Sequence, residues 1–252
     1  MAAAAGSPDR AGEQRVTLMT IFDWLDRLAF LRGETAAWLV VLTAVLIVVV
    51  PDLRLKLLAL AGQYFAAALL FVDVLDPRLA IVKLLVGWFV CLILYMTGRQ
   101  VNWDRPPEDV TVEEARRWRA PKQVSLGRYR LPVWAVRAAL SGLTLLLVWW
   151  LARQPSVYLP LAAEDAAYES VAYMNLAVYG LLAFGLLQMA LAARPLAGGM
   201  GIFMFLTGFA LFYSSLDQSL VGLGLLAAVN LAMALGVSYL AQSRRVLIVN
   251  SQ

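Results

Sequence analysis

Seven long apolar runs constrain the fold of this 252-residue sequence more than any other feature. A bilayer core about 30 Å thick needs roughly 20 apolar residues for each crossing helix. Lipid offers the backbone no hydrogen-bond partners, so each crossing segment must satisfy its own backbone groups. We therefore predict an all-α fold, a polytopic transmembrane helical bundle with about seven spans. The predicted spans are residues 36–50, 57–74, 79–97, 132–152, 171–193, 198–214 and 220–241.

Composition leads to the same class. Hydrophobic residues make up 62% of the chain and charged residues 15%, with a mean hydropathy of +0.73. Soluble domains are about 45–50% apolar and about 25% charged. The composition excludes a disordered chain, a collagen-like repeat and a disulfide-rich secreted scaffold. It predicts a multi-pass membrane protein. We expect its location to be a bacterial-type cytoplasmic (inner) membrane.

Missing residue types exclude several kinds of chemistry. The chain has no histidine and a single cysteine, Cys91. Histidine-ligated haem, zinc or copper, a Ser-His-Asp triad and a cysteine-rich metal site therefore cannot form. No glycine-rich nucleotide-binding motif stands between a strand and a helix. We expect no cofactor, no metal, no catalytic residue and no catalytic activity of the chain's own.

The polar segments divide the chain into five parts. Residues 1–35 form an N-terminal segment in which 16–31 have amphipathic helical spacing, and we expect no signal peptide. Residues 36–98 hold three spans, 99–131 form a basic loop, 132–242 hold four spans, and 243–252 form a tail. The amphipathic stretch predicts a helix lying flat in the headgroup layer. The alternative is a docking helix for a partner subunit.

The basic loop predicts the orientation of the bundle. Thr111 and Glu114 fit a capping box, which favours a short surface helix. We interpret the loop as a cytoplasmic face and not as a nucleic-acid site. Of the 21 Lys and Arg residues, fourteen fall on the side of this loop and seven on the side of the N-terminus. The positive-inside rule then places the N-terminus outside and the C-terminus in the cytoplasm.

Ionisable groups at membrane depth are functional candidates by default. Asp73 precedes Pro77 by four residues and Lys83 follows it by six, so a hairpin at Pro77 brings both to a similar depth. An ion pair there would lower the cost of burying either charge. In one interpretation Lys83 snorkels to the outer interface and Asp73 only ends its helix. In the other, Lys83 faces a hydrated path and takes part in proton movement.

The last span carries a small residue at every fourth position. Such a repeat lets helix backbones approach closely, so we predict a helix-packing face. Asn230 lies on the opposite face, at a rotation of about 200° from Ala228. We take Asn230 as a third candidate for an ion path, although the sequence favours a hydrogen bond across helices over ion binding. The predicted packing residues are Gly224, Ala228, Ala232 and Gly236.

The order of these features resembles a known group of membrane subunits. Residues 78–88 read as an apolar helix with one lysine near its start, and three closely linked helices occupy about 170–245. These three resemble the K subunit of respiratory complex I and the C subunit of Mrp-type antiporters. The whole plan resembles component E of membrane-bound hydrogenases of the formate-hydrogenlyase type. The resemblance implies antiporter-like membrane subunits as partners.

The chain departs from this group where protons would move. The K-like subunits carry membrane carboxylates in their last two helices. The corresponding stretches here, 205–208 and 229–231, read Phe-Leu-Thr-Gly and Val-Asn-Leu and hold no charge. Asp217 belongs to the outer turn between these helices. The resemblance therefore implies a structural or modified subunit, with ion movement through its partners.

Two functions of different classes follow. The first is an integral membrane subunit, without catalysis of its own, of an ion-translocating complex related to complex I, Mrp antiporters or membrane hydrogenases. The alternative is an autonomous transporter of a small solute or ion. That function needs a polar cavity near the midplane, often at broken helices in an internal repeat.

Overall fold

Seven helices build the described part of the chain. The computed structural model describes residues 29–104, 123–126, 129–154, 168–217 and 219–250. The helices are α1 (Glu34–Val49), α2 (Leu53–Val74), α3 (Pro77–Gln100), α4 (Val133–Ala152), α5 (Tyr168–Leu191), α6 (Pro195–Leu216) and α7 (Leu220–Asn250). Six of them, α2 to α7, are long and apolar enough to cross a membrane, whereas α1 has 16 residues. The prediction of an all-α, multi-pass membrane bundle is confirmed.

Prolines and aspartates set the helix ends. Helix α1 stops before Pro51, which cannot continue the hydrogen-bond ladder. The carboxylates of Asp52 and Asp76 cap α2 and α3, each accepting a hydrogen bond from the backbone amide two residues later. Pro77 and Pro195 occupy the first positions of α3 and α6, where a missing N–H costs nothing. The short links leave consecutive helices antiparallel.

Four helices form the centre of the bundle and three lie outside it. Helices α1, α2, α5 and α6 pack around one another, α4 covers α5 and α1, α3 covers α2, and α7 packs on α3 and α6. In the most apolar stretch of each long helix, 56% of residues are buried in α2 and α5 and 61% in α6. The shares in α3, α4 and α7 are 22%, 17% and 22%. The outer three helices therefore present most of their apolar surface to the surroundings.

Two features differ from the sequence prediction. The basic loop contains an antiparallel hairpin, β1 (Gln123–Leu126) and β2 (Tyr129–Pro132), which we did not predict. Helix α7 continues to Asn250, although we expected a tail from residue 243, because the extra residues contain neither glycine nor proline. The surface helix expected at Thr111–Glu114 and residues 16–28 of the amphipathic stretch lie outside the described residues. Ala29–Leu31 form a 3₁₀ turn before α1.

Helices α5 and α6 pack backbone against backbone through glycines. A Cβ atom added at Gly185 would lie 2.7 Å from the backbone nitrogen of Phe205 and 2.9 Å from the carbonyl oxygen of Gly201. A Cβ at Gly201 would meet the carbonyl oxygen of Gly185 at 2.8 Å. Such distances are too short for carbon, and backbone cannot move aside as a flexible side chain can. The two helices can therefore pack at this distance only with glycine at both positions.

We predict that Gly185→Val destabilises the bundle by about 1–3 kcal/mol, because the new side chain forces α5 and α6 apart. The measurement is thermal unfolding of the purified protein in a mild detergent. Gly142→Val is the matched control, since a Cβ at Gly142 in α4 meets no atom within 4 Å. Equal loss of stability in both variants would contradict the packing of α5 on α6.

Candidate functional site

A small polar cavity lies between α2, α3, α6 and α7. Its polar lining comes from one residue of each helix, Tyr64, Lys83, Thr207 and Asn230, and the rest of the lining is apolar. The cavity measures about 10 Å³, which is room for roughly one water molecule. It therefore brings together two of the three ion-path candidates, Lys83 and Asn230.

The positions of these residues along their helices direct their side chains towards the cavity. Lys83 lies two turns into α3, and Gly87 follows one turn later on the same face. A Cβ at Gly87 would overlap the ring of Tyr64, so this glycine admits the tyrosine between α2 and α3. Asn230 lies in the middle third of α7 on the face that is buried against the bundle.

Three polar atoms in this cavity have no hydrogen-bond partner in the described part of the chain. They are the Oη of Tyr64, the Nζ of Lys83 and the Oδ1 of Asn230. The Nζ of Lys83 lies 5.7 Å from the centre of the Phe71 ring, within range of a cation–π contact. An amine can take up or release a proton, and an amide oxygen can accept a hydrogen bond from water or from that amine. The cavity thus holds an amine that can exchange a proton, a hydroxyl and an amide acceptor, all facing the same small space.

Asp73 does not join this site. Its Oδ1 accepts hydrogen bonds from Nη2 of Arg32 at 2.6 Å and from Nε at 3.1 Å. The ion pair that we considered between Asp73 and Lys83 is therefore absent, although the hairpin at Pro77 forms as predicted. A similar depth in the membrane did not bring Asp73 and Lys83 together, because the direction in which each side chain leaves its helix decides which groups meet. Arg32, just before α1, has a guanidinium that a carboxylate can engage through two donors.

The small-residue ladder of α7 faces away from the other described helices. Gly224, Ala228, Ala232 and Gly236 are all exposed. A Cβ added at Gly224 or Gly236 would meet no atom within 4 Å. The ladder thus takes no part in packing within the described bundle. Its role in close contact with another helix stays a prediction.

A second buried polar group was missed by the sequence analysis. Lys56 in α2 is only 2% exposed, and its Nζ lies 3.4 Å from the Oε1 of Gln188 in α5. The Nε2 of Gln188 donates in turn to the carbonyl oxygen of Ala197 in α6, at 2.9 Å. The helical spacing of the sequence could have revealed that Lys56 is buried. Lys56 lies on the core-facing side of α2 together with Leu53 and Leu60.

Arg137 connects the start of α4 to the C-terminal ends of α1 and α5. It lies in the second turn of α4, and its guanidinium donates to the carbonyl oxygens of Val48 at 3.2 Å and Leu191 at 2.8 Å. These carbonyls belong to the last turns of α1 and α5, where intrahelical donors run out and the helix dipole favours a cation. Arg137 therefore does not extend freely towards the headgroups; it caps two helices.

Asp217 lies where the sequence predicted, in the turn between α6 and α7. Its carboxylate accepts hydrogen bonds from the hydroxyl and backbone amide of Ser219 and from the hydroxyl of Tyr213. The bonds from Ser219 and Tyr213 hold the pKa of this carboxyl below its usual range. Asp217 is thus an ionised cap of the turn, outside the membrane-spanning segments.

No group of histidine, cysteine, aspartate or glutamate side chains in the described residues could hold a metal ion. Comparisons with protein-family models, with curated proteins and with solved structures find no match for the chain. The arguments on function therefore depend on the geometry of the chain itself.

We predict that Lys83→Met leaves the bundle at least as stable as the wild type. The substitution removes a buried amine without a described hydrogen bond, whose burial costs about 1–3 kcal/mol, and loses only one cation–π contact. Arg137→Met is the comparison, since it also replaces a cation by methionine but leaves two carbonyls without their donor. Thermal unfolding in detergent should show a clear loss for Arg137→Met alone. A comparable loss for Lys83→Met would reveal a partner for Lys83 and contradict this description of the cavity.

Proposed function

We propose that this chain is an integral membrane subunit, without catalysis of its own, of an ion-translocating complex of the complex I, Mrp antiporter or membrane-hydrogenase type. The order of its helices, and in particular the three linked helices α5 to α7, supports the proposal. The kinship depends on this helix plan and on no sequence or structural match.

The exposed ladder of α7 is the observation that carries the proposal. Lipid tails are as apolar as leucine, so helices in a membrane associate through close packing, and small residues at every fourth position allow it. Within the described bundle this face contacts no helix, although its small residues would let another helix approach closely. A face of this kind is explained by a second membrane protein that packs against α7. Antiporter-like subunits are the partners that the resemblance implies.

Charge placement supports a non-catalytic role in the complex. The acidic residues of the described helices belong, by their position in the chain, to the first or last turns or to the adjoining caps, at Glu34, Asp52, Asp73, Asp76, Glu169 and Asp217. The amine of Lys83 faces the buried cavity instead. Ion movement is then a property of the partner subunits, with Lys83 and Asn230 at the edge of the path. Helix α7 contributes to both features, since Asn230 lines the cavity while the opposite face holds the ladder.

We predict that the affinity-tagged full chain, extracted from its native membranes in a mild detergent, brings down a larger antiporter-like membrane protein. Gly224→Leu combined with Gly236→Leu should lower the recovered partner about tenfold, because bulk on the ladder removes close packing worth about 1.4 kcal/mol. The variant should fold, since both positions are surrounded by open space.

Gly142→Leu on α4 is the matched control and should leave recovery of the partner unchanged. It also places leucine on an exposed helix glycine without neighbours. A wild-type chain that stays alone in mild detergent would contradict the proposal. Solute or ion uptake by the purified chain in liposomes would favour the alternative, an autonomous transporter.

A further inference from the structure

A large groove opens on the outer side of the bundle between α2 and α3. Its volume is about 780 Å³, and it is separate from the cavity around Lys83. Two cations, Arg54 and Arg99, lie at one end of the groove, and its remaining lining is aromatic and apolar. We propose that this groove binds one anionic phospholipid, with the phosphate between Arg54 and Arg99 and an acyl chain along α2 and α3.

The two arginines lie at the same membrane boundary. Arg54 is the second residue of α2, and Arg99 is the last residue but one of α3, so these antiparallel helices bring both cations to one end of the bundle. Neither guanidinium donates a hydrogen bond within the part of the chain that the structure describes. No acidic residue among those described lines the groove. Arginine forks match phosphate oxygens, and basic pockets between membrane helices bind anionic headgroups.

The apolar part of the groove runs inwards from the arginines, as an acyl chain does. Ala61 lies seven residues beyond Arg54 on α2, about 10 Å deeper at 1.5 Å per residue. Trp88 lies eleven residues before Arg99 on α3, about 17 Å deeper on the same scale. Leu58 and Leu92 are largely exposed between these levels, so this wall of the groove faces lipid. Charge at the boundary and apolar surface below it fit a phospholipid better than a free anion.

Trp103 holds one wall of the groove in place. Asn102 and Trp103 have φ angles of 51° and 53°, a left-handed conformation that costs a residue with a side chain about 1–3 kcal/mol. The ring fits against Gly98, where a Cβ would lie 2.7 Å from it. The ring of Tyr95 meets it edge-on at 5.7 Å, and the guanidinium of Arg54 stacks over it at 5.2 Å. Arg54 is thus positioned before any lipid arrives, and its N–H edge remains able to donate.

The test is native mass spectrometry of the purified full chain, given equal amounts of phosphatidylglycerol and phosphatidylcholine in detergent. The wild type should retain one phosphatidylglycerol in preference to phosphatidylcholine. Arg54→Gln combined with Arg99→Gln should lower the retained phosphatidylglycerol about tenfold. Arg78→Gln combined with Arg153→Gln removes the same charge at the other end of the bundle and should change nothing. Arg153 is a suitable match for Arg54, because it also stacks on a tryptophan, Trp149, at 4.0 Å.

The Ala61→Phe variant distinguishes lipid binding in the groove from a general electrostatic attraction of anionic lipid to the two arginines. It fills the apolar part while both arginines remain, and it should also lower the retained phosphatidylglycerol. Gel filtration and the melting temperature establish that each variant is folded. Equal retention of the two lipids by the wild type would overturn the proposal. Unchanged retention in the Arg54/Arg99 variant, or an equal loss in the Arg78/Arg153 variant, would also overturn it.

Discussion

The fold depends on one constraint, which is that polar groups inside a bilayer find their partners within the protein. Water is absent at that depth, so each unpaired group carries a large cost. The chain meets the constraint through bonds between helices. The hydroxyls of Thr97 and Ser238 join α3 to α7 at 2.8 Å, Lys56 reaches Gln188, and Arg137 caps α1 and α5. Apolar side chains fill the space between helices, but these bonds select which faces meet.

The three proposed functional features lie where internal pairing stops, although the buried amide of Gln63 also has no described hydrogen-bond partner. Lys83 and Asn230 leave a donor and an acceptor open towards one cavity. The ladder of α7 leaves a face suited to close packing without a described helix against it. Arg54 and Arg99 hold positive charge at the boundary, and the groove they line contains no acidic residue from the described ranges. A proton or water, a second membrane protein and an anionic lipid are, respectively, the partners whose chemistry fits these three places.

Hydropathy and proline spacing were sufficient to predict the helices, since both act locally along the chain. Pro77 predicted the turn between α2 and α3, and Pro195 likewise stands at the start of α6, just after a turn. Rotation of each helix about its axis was harder to predict, because it depends on every neighbour at once. The missed pair of Arg32 with Asp73 is an error of this kind, whereas the packing of the α7 ladder against another helix stays a prediction. The hairpin at Gln123–Pro132 was not predicted, because its many basic neighbours led us to interpret the segment as a loop. Val124 and Leu126 nevertheless show the alternation that is typical of a strand.

A disulfide cross-link between α3 and α7 tests the central claim most directly, because the Thr97–Ser238 contact fixes the face of α7 that closes the cavity. Cys91 is the chain's single cysteine, so Cys91→Ser gives a clean background. Thr97→Cys with Ser238→Cys should form a disulfide on oxidation in membranes, since the two hydroxyls they replace are 2.8 Å apart. Thr97→Cys with Tyr239→Cys should remain reduced, because Tyr239 is 71% exposed and points away from α3. A cross-link in the second pair and none in the first would show that α7 is rotated and would contradict the account.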